Sequence, residues 1–139
     1  MSLTINTGTD ELLCLIDDRV ATITLNRPGK RNALSDRLTP ALRRILLELD
    51  TRQDVGCIVI TGAGSAFCAG GDISGMGAVG GDPSALEPTI QERTRALQNK
   101  EDKVTHRVLD HSKPSIDARP GVATGAGCCI GLGSENRMA

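Results

Sequence analysis

In "CIVITGAGSAFCAGGDISGM" an apolar run ends in a crowd of glycines and alanines, and the first charge to follow is Asp72. A second stretch, "GVATGAGCCIG", repeats the plan: extended residues, a glycine cluster, then the start of an apolar helix. A loop that only had to turn would manage with one glycine. A row of them lets something approach the backbone closely, or leaves N–H groups pointing outward. Such N–H groups at a helix start carry partial positive charge, so they bind anions or stabilise developing negative charge. Two of them converging on one point would form an oxyanion hole, in which a single donor is worth roughly 3 kcal/mol in rate terms. Taken singly, each stretch reads better as a tight strand-to-helix turn.

Other chemistries fit less well. No G-x-x-x-x-G-K-[ST] is present, "GAGSAFCAG" does not match G-x-G-x-x-G, and "GAGCCIG" matches only its first half. Neither "GSA" nor "GSE" supplies the G-x-S-x-G of a serine hydrolase. The five cysteines, Cys14, Cys57, Cys68, Cys128 and Cys129, form no C-x-x-C pair and have no histidine at metal spacing. They are expected to be buried free thiols, with no metal and no disulfide. His106 and His111 stand five apart in a polar stretch, a poor spacing for one helical face, and are expected to be solvated.

These residues need elements to place them. The 139 residues suffice for one domain, with 39% hydrophobic and 24% charged side chains. Phe67 is the sole aromatic, so the core must come from Leu, Ile, Val and Ala. A net charge of −1 argues against a general binder of nucleic acid or membrane surfaces. No apolar run approaches the roughly 20 residues of a membrane span. "MSLTINTGTDELL" has no secretory character, so a cytoplasmic protein is expected.

"ELLCLIDD" and "RVATITLNRP" read as a hairpin turning at Asp17-Asp18 and ended by Pro28. Leu38, Leu42, Ile45, Leu46 and Leu49 follow at helical spacing, with Ser35 as N-cap and Pro40 near the first turn. "VGCIVITGAG" reads as a strand buried on both faces. "GAVGGDPSALEP" reads as a loop, "TIQERTRALQNKEDKVTHRVLDHS" as a mostly polar helix, and "KPSIDARPG" as a short extended piece. This order is that of an α/β chain.

Three motifs, "VATITLNRPGKRNALS", "DVGCIVITGAGSAFCAGGDISGM" and "KPSIDARPGVATGAGCCIGL", resemble in order and spacing the crotonase superfamily, the enoyl-CoA hydratase/isomerase family. The resemblance implies a spiral of ββα units that binds an acyl-CoA substrate and holds an enolate between two backbone N–H donors. Carried over by position, the donors are the N–H groups of Gly71 and Ala126. Lys30, Arg31, Asn32 and Ala33 match the segment along which CoA lies, where a basic pair suits phosphates. Arg31 is equally well read as a solvated loop residue. Ala69, Asp72 and Ile73 would border the acyl-thioester pocket, with Asp72 better read as the N-cap of a following short helix than as a catalytic acid. The CoA thioester enters as substrate, and no cofactor is implied.

The chain also departs from the family pattern. The hydratases' first catalytic glutamate corresponds to Cys129, and a thiol of ordinary pKa about 8.5 is a poor base for water at neutral pH. A packing cysteine is the expectation there. The second glutamate would fall past Ala139, and Glu135, six residues after Cys129, faces away from it. Residues 1–139 are thus expected to form a single partial domain, a truncated ββα spiral. The segments that build the family's homo-oligomer, a trimer or hexamer, would be missing. Asp117 and Arg119 fall in a strand that the family keeps apolar, where unpaired charge would be costly. The rival reading is a non-catalytic remnant or fragment that at most binds CoA.

Overall fold

The fold is built on one mixed sheet, seen in a computed structural model that describes residues 1–72, 89–92, 94–95, 110–133 and 136–138. Its strands are β1 (Leu3–Ile5), β2 (Leu12–Asp17), β3 (Val20–Leu25), β4 (Cys57–Gly62), β5 (Ser115–Ala118) and β6 (Asn136–Met138), side by side in chain order. The first three pair antiparallel, and β3 through β6 pair parallel. Parallel neighbours need a crossover, and helices α1 (Leu38–Thr51) and α2 (Ala126–Gly133) lie in the β3–β4 and β5–β6 connections. The α/β expectation holds.

Helix α1 forms where the leucine spacing places it. The Ser35 hydroxyl accepts the Leu38 N–H at 3.0 Å and the Arg37 N–H at 3.3 Å, so Ser35 supplies the start signal expected of it. Pro40 is the third helical residue, where its missing N–H costs no helical bond. Leu38, Ala41, Leu42, Ile45, Leu46 and Leu49 are all buried. They belong to the same core cluster as Leu12, Cys14, Ile16, Ala21, Ile23, Leu25, Ile58 and Ile60 of the sheet. At the C-terminal end, Lys113 Nζ donates to the carbonyls of Arg52 and Val55.

Three sequence expectations change. The hairpin turns at Asp18-Arg19 rather than Asp17-Asp18: both have positive φ, 46° and 65°, as a two-residue turn matched to strand twist requires. Strand β4 is buried on one face only. Ile58, Ile60 and Gly62 are buried while Cys57, Val59 and Thr61 are half-buried, because the helix-covered face takes alternate residues. The short edge strands β1 and β6 carried no readable alternation and were not anticipated. Of the polar helix expected from Thr89, its start is described: Thr89 and Glu92 exchange hydrogen bonds between side chain and backbone N–H at 2.8 and 3.3 Å, a capping box. The "GAVGGDPSALEP" loop, His106 and Glu135 lie outside the described residues.

The register decides where a site can form. Leu25 pairs with Gly62 and Thr61 with Ala118, so the carboxyl ends of β3, β4 and β5 coincide. Three loops therefore leave the sheet at one edge: residues 26–37, 63–72 and 119–125. In open α/β sheets this edge is where ligands bind.

Candidate active site

The first loop is held by a buried side chain. Asn32 accepts the Arg27 N–H at 2.8 Å through its amide oxygen, and its amide nitrogen donates to the carbonyls of Ala63 and Ala66 at 2.9 and 2.8 Å. Its φ of +56° is one that asparagine tolerates better than most residues. Asn32 is therefore a clamp between the first two loops, its side chain buried within the motif segment that the resemblance assigns to CoA. Lys30 and Arg31 beside it are exposed, whereas Ala33 is buried.

The second loop runs against both neighbours. Ala69 N–H donates to the Arg31 carbonyl at 2.9 Å, Leu34 N–H to Gly70 at 2.7 Å, and Asp72 N–H to Leu34 at 3.0 Å. On the other side, Thr124 N–H donates to the Cys68 carbonyl at 3.0 Å and the Thr124 hydroxyl to that of Ala69 at 2.9 Å. Ala69, half-buried, thus sits between the loops.

Not every glycine in the motifs serves a ligand. A Cβ on Gly62 would come within 2.5 Å of the carbonyls of Ala66 and Phe67, and one on Gly127 within 2.5 Å of the Cys68 carbonyl. Those glycines let backbone pass backbone. Gly71 differs: a Cβ there would meet nothing within 4 Å. Gly70, at φ +94°, turns the chain so that its own side-chain position would face the third loop, 3.5 Å from Ala126 N.

Among the described residues, neither N–H expected to act as a donor has an acceptor. In the bridge between Leu34 and Gly71, the hydrogen bonds run through Gly70 and Asp72, which leaves the Gly71 N–H on the opposite side. Ala126 opens helix α2, where an N–H has no partner within the helix. Gly70, the residue before Gly71, lies beside the Ala126 N–H at one loop crossing.

The charged residue in the motif has a definite partner. Asp72 Oδ2 accepts from Arg27 Nη2 at 2.9 Å, and Arg27 Nη1 donates to the Ala33 carbonyl at 2.7 Å. The helix that Asp72 was expected to cap, and Ile73 itself, lie outside the described residues. Sequence reasoning passed over Arg27. The signal available was "NRP" at a strand end, a cation placed before a proline turn.

The thiols divide by burial. Cys14 and Cys68 are buried, Cys57 and Cys128 partly so, and Cys129 is exposed. The packing role expected for Cys129 is not what the structure shows: in the first turn of α2 it faces outward while Ile130 faces the core. Burial raises the Cys68 thiol above its ordinary value, an effect the Gly70 N–H partly offsets. His111 departs from expectation too, since both its ring nitrogens are buried and have no hydrogen-bond partner among the described residues.

Comparison with known proteins places the chain in a family. The family model described as enoyl-CoA hydratase/isomerase matches residues 20–139. The chain belongs to the enoyl-CoA hydratase/isomerase family. It is similar to the probable enoyl-CoA hydratase EchA14 of Mycobacterium tuberculosis, 38% identical over 130 residues, covering 94% of this chain and 47% of that protein. It is also similar to the 1,2-epoxyphenylacetyl-CoA isomerase of Escherichia coli, 32% identical, with 89% and 45% covered. Among solved structures, a putative enoyl-CoA hydratase from Streptomyces coelicolor superposes with TM-score 0.74 at 36% identity, with 91% of this chain and 44% of that one covered. An enoyl-CoA hydratase from Bacillus anthracis superposes with TM-score 0.79 at 25% identity, with 92% and 46% covered. As an enoyl-CoA hydratase/isomerase family member, the chain spans about half the length of the curated relatives it matches.

Proposed function

We propose that this family member binds acyl-CoA thioesters and polarises the thioester carbonyl between the N–H groups of Gly71 and Ala126. The observation that carries the reading is their unused state at a shared crossing: both lack acceptors among the described residues, and Gly70 turns toward Ala126 N. Two preorganised donors stabilise an oxygen that gains negative charge as the thioester becomes an enolate, at no reorganisation cost. The exposed cations Lys30 and Arg31 lie on the adjoining loop and suit the phosphates of CoA. The relatives, among them a probable enoyl-CoA hydratase and a 1,2-epoxyphenylacetyl-CoA isomerase, support a CoA thioester as ligand class.

A second reading, a chain that binds CoA without catalysis, draws on one observation: Cys129 stands where the resemblance places the hydratases' first glutamate. The two readings separate by calorimetric titration with CoA and with a saturated acyl-CoA. The first expects the thioester to bind more tightly than CoA, by about tenfold for one additional favourable contact of roughly 1.4 kcal/mol. Equal affinities would favour the second reading, and binding of neither would overturn both.

A further inference from the structure

Asp72 raises an electrostatic problem that its neighbours answer. It follows Gly71 directly, so a carboxylate stands beside a donor assigned to an oxygen that becomes negative. Left uncompensated, that charge would oppose what the donor is there to do, most strongly where water is excluded. Its side chain is only 17% exposed, as is that of Glu11, and Arg27 is 15% exposed.

Arg27 meets Asp72 with one arm of its guanidinium and the Ala33 carbonyl with the other. Its Nε lies 3.7 Å from Glu11 Oε2. Glu11 has compensation of its own, accepting from the Ser35 hydroxyl and lying 3.8 Å from Arg37 Nη1. Two carboxylates and two guanidiniums thus alternate across three elements, and among the described residues Arg27 is a cation paired with Asp72.

We infer that Arg27 is a charge-compensating positioning residue for the oxyanion donors: by neutralising Asp72 and holding its carboxylate toward the first loop, it lets Gly71 N–H face an anionic oxygen. The inference rests on the donor pair proposed above. It makes a demand that a merely structural ion pair does not. Removing Arg27 harms carbonyl polarisation because Asp72 is left charged, so removing the charge of Asp72 as well repairs it.

The test uses cinnamoyl-CoA, whose conjugated thioester absorbs at longer wavelength as its carbonyl is polarised. Binding to the parent chain is expected to shift its absorbance to the red. Arg27→Gln should lose more than half of that shift, and adding Asp72→Asn to it should restore most of what was lost. Affinity for CoA alone should stay within about threefold in each. Arg27→Lys keeps the charge and is expected to keep the shift, which maintains the test if Arg27→Gln does not fold. The inference is overturned if the double variant shows no more of the shift than Arg27→Gln, if Arg27→Gln retains it, or if a folded Arg27→Lys loses it. A parent chain that binds cinnamoyl-CoA without any red shift removes the donor pair itself, an outcome visible before any variant is made.

Discussion

Asp117 and Arg119, two residues apart along β5 and its continuation, form an ion pair of 2.5 Å beneath helix α2. Asp117 is fully buried, Arg119 lies 6.0 Å over the ring of Phe67, and Gly131 leaves the space they occupy. A Cβ on Gly131 would fall 2.5 Å from Asp117 Oδ2 and 2.1 Å from Arg119 Nη2. The two charges that looked foreign to a buried strand are paired with each other, and a helix glycine makes that possible.

Breaking this pair should be costly because one charge stays buried. Arg119→Ala is expected to lower stability by about 3 kcal/mol. Gly131→Ala should cost about 1–3 kcal/mol through overpacking, despite the better helix propensity of alanine. In an Arg119→Ala background most of the Gly131→Ala cost should vanish. Urea denaturation of the four chains gives the coupling energy, and additive effects would show that the contact does not govern the site.

Asn32 should prove the most sensitive loop position. Its amide makes three hydrogen bonds out of solvent, to Arg27, Ala63 and Ala66. Asn32→Ala is expected to cost about 2–4 kcal/mol, because two carbonyls and one N–H are left unpaired. Asn32→Asp, of the same shape, should be no better, since a carboxylate turns its oxygens on two carbonyls. A thermal melt within 2 °C of the parent for either variant would contradict the clamp, given the usual scale of about 4–8 °C per kcal/mol for a small domain.

Thiol reactivity should follow position in the fold. Cys129, exposed, is expected to alkylate first in native protein, with Cys57 and Cys128 slower. Cys14 and Cys68 should react only on unfolding, because burial both shields them and holds their thiols protonated. Peptide mapping after timed iodoacetamide treatment reads the order directly. Early labelling of Cys68 would mean that the second and third loops separate in solution.

Cys14 should also make the fold sensitive to alkali. Burial, helped by the charge of Glu48, moves its pKa from 9.0 to about 11. The folded state therefore favours the neutral thiol, and that contribution is complete below pH 9. As pH rises toward 11 the unfolded chain ionises first, and about 2 kcal/mol of stability should be lost progressively. Denaturation midpoints across this range should fall more steeply for the parent than for Cys14→Ala, even though that variant starts less stable.

Hydration of an enoyl-CoA should remain near background. A positioned acid or base typically contributes about 10²–10⁴ in rate, and the resemblance places the thiol of Cys129 at the position of the hydratases' first glutamate. Loss of conjugated thioester absorbance by the purified chain measures this. Robust turnover would locate the proton-transfer group elsewhere on the protein.

The linear sequence determined the elements whose physics is local. Helix α1 was legible because leucine spacing, Ser35 and Pro40 all agree over one short range, and β2 through β5 because alternation or apolar runs mark them. The proposed donors Gly71 and Ala126 were legible only through motif resemblance, as nothing in their own types distinguishes them from Gly62 or Gly127. Tertiary structure decided the rest, because it depends on what crosses at the carboxyl ends of β3, β4 and β5. That crossing separates glycines that admit a neighbouring backbone, such as Gly62 and Gly127, from Gly71, which opens to space, and it turns Asn32 inward as a clamp. It brings Arg27 onto Asp72, 45 positions along the chain, and turns Cys129 outward. Long-range pairing of charges and the filling of space by neighbouring backbone leave no periodic trace in a sequence, so the roles of Arg27, Asn32 and Gly131 emerged only when the three loops were brought together.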